Sequence, residues 1–246
     1  MASPATPLIK IQPTDALYLV DVQLTFMPGG GLPVVGGNEV VPIIQDLLAK
    51  FEAMGRYASL DQHDLGHISL ASSYVGFKPF DLLTLERVLR DPPALAAHAK
   101  FTTEQLTAYL HQCHGKQQLL WPDHALTGTV EQRMHPKLER VTFLHVQTKG
   151  TRWDCDSYSP FTDNVGRSTG LANWLRAAGV TRLFLCGLAF DVCVRYAALD
   201  AAKLGFETFV IKDACRSVTP QGEDETERAF MQSDVTLITS DQLVAA

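Results

Sequence analysis

No stretch of this 246-residue chain is apolar for long enough to cross a bilayer. The opening Met1-Ala2-Ser3-Pro4-Ala5-Thr6-Pro7 lacks the apolar core of a signal peptide. A cytoplasmic location with no membrane partner is therefore expected. Positive charge is in short supply: 21 Lys and Arg stand against 27 Asp and Glu, a formal net charge of -6. That balance argues against a general affinity for nucleic acid. The 5 cysteines show no CxxC pair and no regular spacing, which argues against a disulfide framework or a zinc ribbon. An odd count suits a reducing compartment. Internal repeats and low-complexity tracts are missing as well.

What is present is an ordinary apolar fraction, 46%, enough for a sizeable core in one large domain spanning residues 1–246. Short β-rich apolar runs recur at Ala16–Val22, Arg56–Leu60, Val141–Gln147, Arg182–Gly187, Glu207–Ile211 and Val235–Thr239. Between them, Val40, Ile43, Ile44, Leu47, Leu48 and Phe51 follow helical spacing, as do Val194, Ala197, Ala198, Ala201 and Leu204. This alternation predicts an α/β fold with a central, mostly parallel sheet covered on both faces. The stretch at about 80–120 breaks the alternation and reads as an insertion, with short helices around Asp91-Pro92-Pro93 and another from Thr102 to His111.

Charged and thiol residues close several of these runs. Asp21 follows Ala16–Val20, and Lys149 follows Val141–Val146 shortly after. Cys193 falls where Leu183–Leu188 passes through a glycine turn into helical spacing. A thiol in the first turn of a helix meets unpaired N–H groups, which favour the thiolate. Carboxyl ends of parallel strands share one crevice, so an acid, an amine and a thiol could meet there for covalent acyl transfer. Taken singly, each has a plainer reading: turn residue, solvated amine, small buried hydrophobe.

Asp61 and His63 also follow a strand, two residues apart and so on one face. Asp with His suits zinc, manganese or iron, and Trp121-Pro122-Asp123-His124 offers a rigid third ligand in His124. His67 could be a fourth, but is read as a loop residue. His111 and His114 with Cys113 read as a solvated helix end. Gly166-Arg167-Ser168-Thr169-Gly170 matches G-x-S-x-G, but polar, turn-like residues precede it where a nucleophile elbow needs a strand. Ser168 is instead expected to cap the helix through Leu171, Trp174 and Leu175. Pro28-Gly29-Gly30-Gly31 has neither phosphate-loop spacing and reads as a turn.

Taken together, these segments resemble the nicotinamidase/pyrazinamidase family of isochorismatase-like cysteine hydrolases. The likeness runs from about Ala16 to Leu243. It is carried by Asp21-Val22-Gln23 with Phe26 and Pro28-Gly29-Gly30, by Asp61-Gln62-His63 with Gly66-His67-Ile68-Ser69, and by Trp121-Pro122-Asp123-His124. Lys149-Gly150 with Asp156-Ser157-Tyr158-Ser159, and Gly187 to Val194, complete it. The resemblance implies a three-layer α/β/α fold and hydrolysis of nicotinamide to nicotinate and ammonia in NAD salvage. It implies Cys193 as nucleophile, Asp21 as general base and Lys149 as the cation holding both. A cis peptide would precede Ala189, whose N–H with that of Cys193 would form the oxyanion hole. Phe26, Trp121 and Tyr158 would wall a flat ring. A divalent metal on Asp61, His63 and His124, zinc foremost with manganese or iron as alternatives, would orient the pyridine nitrogen. A homo-oligomer is expected. Departures from the family pattern are Gln62 in place of an aromatic residue, Ala125 in place of cysteine, and Leu24-Thr25 in place of a polar-acidic pair. The rivals are a cysteine amidohydrolase for another small amide and a non-catalytic binding protein on the same scaffold.

Overall fold

A computed structural model describes residues 8–52 and 55–245. In chain order the strands are β1 (Ile9–Lys10), β2 (Asp15–Val20), β3 (Arg56–Asp61), β4 (Leu82–Thr84), β5 (Gln117–Leu119), β6 (His145–Lys149), β7 (Arg182–Leu188), β8 (Glu207–Arg216), β9 (Val235–Ile238) and β10 (Leu243–Val244). The α-helices are α1 (Val40–Lys50), α2 (Leu85–Arg90), α3 (Thr103–Gln112), α4 (Leu171–Ala177), α5 (Arg195–Lys203) and α6 (Pro220–Met231). Six strands form the central sheet in the order β6-β3-β2-β7-β8-β9, with every neighbouring pair parallel. Helices flank it, as parallel strands require when both faces are apolar. All six residues of β2 are buried.

α1 shows how the pattern becomes packing. Val40, Val41, Ile44, Leu47 and Leu48 are buried together on one stripe, each worth about 1.5–3 kcal/mol of transfer free energy. Pro42 is harmless in the first turn, where its missing N–H has no helical partner. At the far end the Arg56 guanidinium donates to the Leu48 and Phe51 carbonyls at 2.7 and 2.8 Å, satisfying orphan acceptors at the negative end of the helix. Below the sheet, Arg182 grips Asp15 through two bonds of 2.6 and 2.7 Å and so locks the register of β2 against β7.

Three local expectations are corrected. β6 begins at His145 rather than Val141, because it is an edge strand paired only with β3, and that pairing starts at Tyr57↔His145. The segment after β7 enters a π-helical turn, Phe190–Val194, before α5, so Cys193 lies in that turn and not in an α-helix. Ser168 does not cap α4; Gly170 takes the cap position at φ 89°, and the Ser168 hydroxyl accepts from the Gly170 N–H instead.

The 80–120 stretch carries the antiparallel pair β4–β5 with α2 and α3, the latter opened by a capping box at Thr102 and Gln105. Its apolar side chains, among them Leu83, Val88, Leu106 and Leu110, join Ile68 and Tyr74 in a core separate from that of the sheet.

Candidate active site

Four neighbouring strands deliver their C-terminal ends to one place. Asp61 and Lys149 are register partners at the ends of β3 and β6, and Val20 pairs Gly187 where β2 and β7 finish. Asp21 follows β2 at φ 48°, a left-handed turn that few residues other than Gly, Asn and Asp accept readily. Beyond β7 the Leu188–Ala189 peptide is cis, and the π-helical turn carries Cys193 back over the strand ends. Gly187, at φ 121°, makes this approach feasible: a Cβ there would lie 2.1 Å from the Val20 carbonyl oxygen.

Lys149 is the hub. Its ammonium lies 3.0 Å from Asp21 Oδ2, 3.0 Å from Asp61 Oδ1 and 3.5 Å from Cys193 Sγ, and donates to the Ser157 carbonyl at 3.1 Å. Burial works against the charge, but the two carboxylates and the sulfur outweigh it and hold the Lys149 pKa well above its ordinary value. For Asp21 burial prevails: it raises the carboxyl pKa, although Lys149 and a 2.7 Å bond from the Ser59 hydroxyl to Oδ1 pull it down. Asp21 Oδ2 meets Lys149 at ion-pair distance but makes no directed hydrogen bond, so this oxygen retains capacity for a proton. Cys193 departs from the sequence expectation of a resting thiolate. It is 6% exposed, and burial raises its pKa well above the usual thiol value despite Lys149, with Asp21 and Asp61 adding to the rise. A neutral thiol beside a carboxylate able to accept its proton is the arrangement general-base activation requires.

On the other side of Asp61 lie two imidazoles. His63 Nε2 is 3.1 Å and His124 Nε2 3.2 Å from Asp61 Oδ2. The opposite nitrogens face carbonyls, His63 Nδ1 that of Gly150 at 3.2 Å and His124 Nδ1 that of Pro122 at 2.8 Å. Each carbonyl favours a proton on Nδ1, which turns two Nε2 lone pairs toward one carboxylate oxygen. A cation between them resolves that repulsion, and an Asp-His-His donor set suits a borderline divalent ion such as zinc. Carbonyl partners of this kind are the usual orienting contacts of metal-bound histidines. The residues thus fit a metal. Without a metal, and although burial opposes ionisation of Asp61, a protonated His63 and the Lys149 ammonium would serve the same end, holding its pKa well below the carboxylate norm. Gln23 holds Asp61 like an extra strand, accepting from its N–H at 2.7 Å and donating to its carbonyl at 2.8 Å.

Asp61, His63, His124, Lys149 and Cys193 line one narrow cavity. Phe26, Trp121, Tyr158 and Ala189 line it too, together with Leu32, Val192 and Val218. Trp121 meets Tyr158 edge-on at 6.0 Å between ring centroids, and Phe26 tilts against His124 at 5.8 Å. His67 Nδ1 accepts from the Ser69 N–H at 3.2 Å and pairs with its hydroxyl at 2.8 Å, while the buried His67 Nε2 has no hydrogen-bond partner among the described residues. Its ring packs 4.4 Å from His63, and with His63 and Asp156 it makes a second group of closely spaced donor atoms. Among the described residues His111 and His114 belong to no such group and are exposed. Ser168 is exposed as well.

Sequence reasoning missed Ser59, Gln118, Val192 and Val218. Ser59 had a signal, since it lies two residues before Asp61 and shares its face of β3. Val218 had none, because it follows β8 in a loop whose path only the fold reveals.

A model of the isochorismatase domain matches residues 15–242. The chain belongs to the isochorismatase family. Within it, a nicotinamidase of Acinetobacter baylyi is 34% identical over 208 residues, 84% of this chain and 83% of that protein. Among solved structures, a nicotinamidase/pyrazinamidase from Acinetobacter baumanii matches with a TM-score of 0.77 and 31% identity, covering 94% of this chain and 98% of that one. A pyrazinamidase of Pyrococcus horikoshii in complex with zinc matches with a TM-score of 0.65 and 28% identity, covering 92% and 99%. The isochorismatase fold that this chain shares with them is the six-stranded parallel sheet flanked by helices.

Proposed function

We propose that this isochorismatase-family hydrolase converts nicotinamide to nicotinate and ammonia through a thioester on Cys193, within NAD salvage. The observation that carries the reading is the buried Lys149 ammonium, 3.0 Å from both Asp21 and Asp61 and 3.5 Å from the Cys193 sulfur. It joins the thiol end of a small aromatic-walled cavity to its His/Asp end. The similar proteins are named nicotinamidases or pyrazinamidases, which supports the same substrate class.

In this reading Asp21 Oδ2 takes the thiol proton and the sulfur attacks the carboxamide carbon. The carbonyl oxygen gains its negative charge facing the N–H groups of Ala189 and Cys193. Collapse breaks the C–N bond, and Asp21 returns the proton to the departing nitrogen, releasing ammonia. Water then attacks the thioester, with Asp21 again accepting a proton, and the C–S bond breaks to free nicotinate and the thiol. Phe26, Trp121 and Tyr158 hold the ring between them. When bound, a divalent ion on Asp61, His63 and His124 supplies a Lewis-acidic contact for the ring nitrogen.

Ring selectivity tests the proposal. Nicotinamide and pyrazinamide both carry a nitrogen meta to the carboxamide-bearing carbon and should be hydrolysed with release of ammonia. Benzamide lacks the nitrogen and picolinamide has it adjacent to the amide, so both should be slower by on the order of 10²-fold or more. Chelation should shrink that gap. Equal rates on benzamide and nicotinamide in metal-loaded enzyme would sink the reading and favour an amidohydrolase for another small amide.

A further inference from the structure

Gln118 ends the 80–120 stretch, lies in β5 and is 1% exposed. Its side chain reaches the back of the cavity wall. Nε2 donates to Asp156 Oδ2 at 3.0 Å, to the Tyr158 hydroxyl at 3.2 Å and to the Leu119 carbonyl at 2.7 Å. Asp156 is an acceptor when ionised, which fixes the amide nitrogen on that side. Oε1 then accepts from the Tyr109 hydroxyl on α3. Both Asp156 and Tyr158 line the cavity; Gln118 itself does not.

Two features show what this amide controls. The Tyr158 hydroxyl accepts from Trp121 Nε1 at 3.3 Å as well as from Gln118, so the two walls are tied together at one oxygen that Gln118 anchors. Asp156 Oδ1 accepts from the Ser157 N–H at 2.8 Å, and the Ser157 carbonyl receives the Lys149 ammonium at 3.1 Å. The same stretch also backs Trp121 through Phe80, whose ring stands edge-on to the indole at 6.2 Å.

We propose that Gln118 is a positioning residue that sets the shape of the substrate pocket from the 80–120 stretch. It fixes Tyr158 and Asp156 for binding of the flat carboxamide. The proposal rests on the nicotinamide reading for its substrate, but not for its structural effect. Binding should suffer more than chemistry, because the Lys149 ammonium is held at 3.0 Å by both Asp21 and Asp61 and the Ser157 carbonyl is only its third partner.

The test is Gln118→Met, of similar length but without the amide, alongside Tyr109→Phe, which strips only the anchor of Oε1. For nicotinamide hydrolysis we expect KM to rise about tenfold in Gln118→Met and about threefold in Tyr109→Phe, with kcat within about threefold of the parent. The rate of Cys193 alkylation by iodoacetamide should be unchanged. If Gln118→Met does not fold, the Tyr109→Phe result decides. Parental KM in the folded variants overturns the proposal, as does a loss that appears in kcat alone or only tracks the folded fraction. If the parent does not turn over nicotinamide, the substrate reading fails, and a crystal structure of Gln118→Met decides the rest. Displaced Tyr158 and Asp156 side chains support the positioning role; unmoved ones overturn it.

Discussion

Ser59 makes a single bond to the site, and its effect has a definite sign. By donating to Asp21 Oδ1 at 2.7 Å it favours the charged carboxylate and lowers a pKa that burial has raised. Removing the hydroxyl must raise that pKa further. With Asp21 as the proposed general base, which works only when ionised, the acidic limb of kcat/KM should move to higher pH in Ser59→Ala. A hydrogen bond to a charged group is worth about 1.5–3 kcal/mol, so the move should be about one pH unit or more. A pH–rate profile superimposable on the parent's would mean that Asp21 is not the group whose ionisation limits the reaction. The residue scale is also where sequence reading was strongest and weakest. Asp21, Asp61, Lys149 and Cys193 were legible because each punctuates an apolar run, and the fold brings all four together. The resting charge of Cys193 was not legible. A helix start suggests a thiolate, whereas the depth at which the turn is buried, and the carboxylates beside it, decide for the thiol.

At the level of elements, the end of β7 is the critical piece. Strand pairing with β8 shifts register between Leu185 and Gly187, and Gly187 takes a conformation closed to other residues. Gly187→Ala would press a methyl carbon into the Val20 carbonyl as well as straining the backbone. Overlap and strain of this kind each cost about 1–3 kcal/mol. Gly179→Ala is the control, since φ is also positive there but nothing lies within 4 Å. Denaturant melts should show Gly187→Ala much the less stable of the two; equal midpoints would show that β7 can yield without loss. Most strands and α1 could be read from periodicity because burial on both faces writes long apolar runs. β6 was displaced in the reading, since an edge strand's limits are set by its one partner and not by its own hydrophobicity. The role of β5 escaped altogether, because its value lies in what Gln118 touches across the fold.

For the molecule as a whole, the five free cysteines report on compactness. All are buried, and burial raises the pKa of each, pushing Cys155 and Cys215 up to about 12. Cys193 alone among them lines the cavity. With a disulfide reagent at pH 8, one thiol should therefore react ahead of the others in native protein, and Cys193→Ala should remove that phase. All five should react at once in denaturant. Two or more fast thiols in the native state would show that the interior opens more readily than this packing implies. The strand order has a further consequence, for synthesis. β2, buried along its whole length, lies between β3, the next strand of the sheet in sequence, and β7, which emerges from the ribosome far later. Pairings so distant in the chain form slowly, and until they form an unpaired edge invites aggregation. The nascent polypeptide must carry that exposed edge until β7 has been translated.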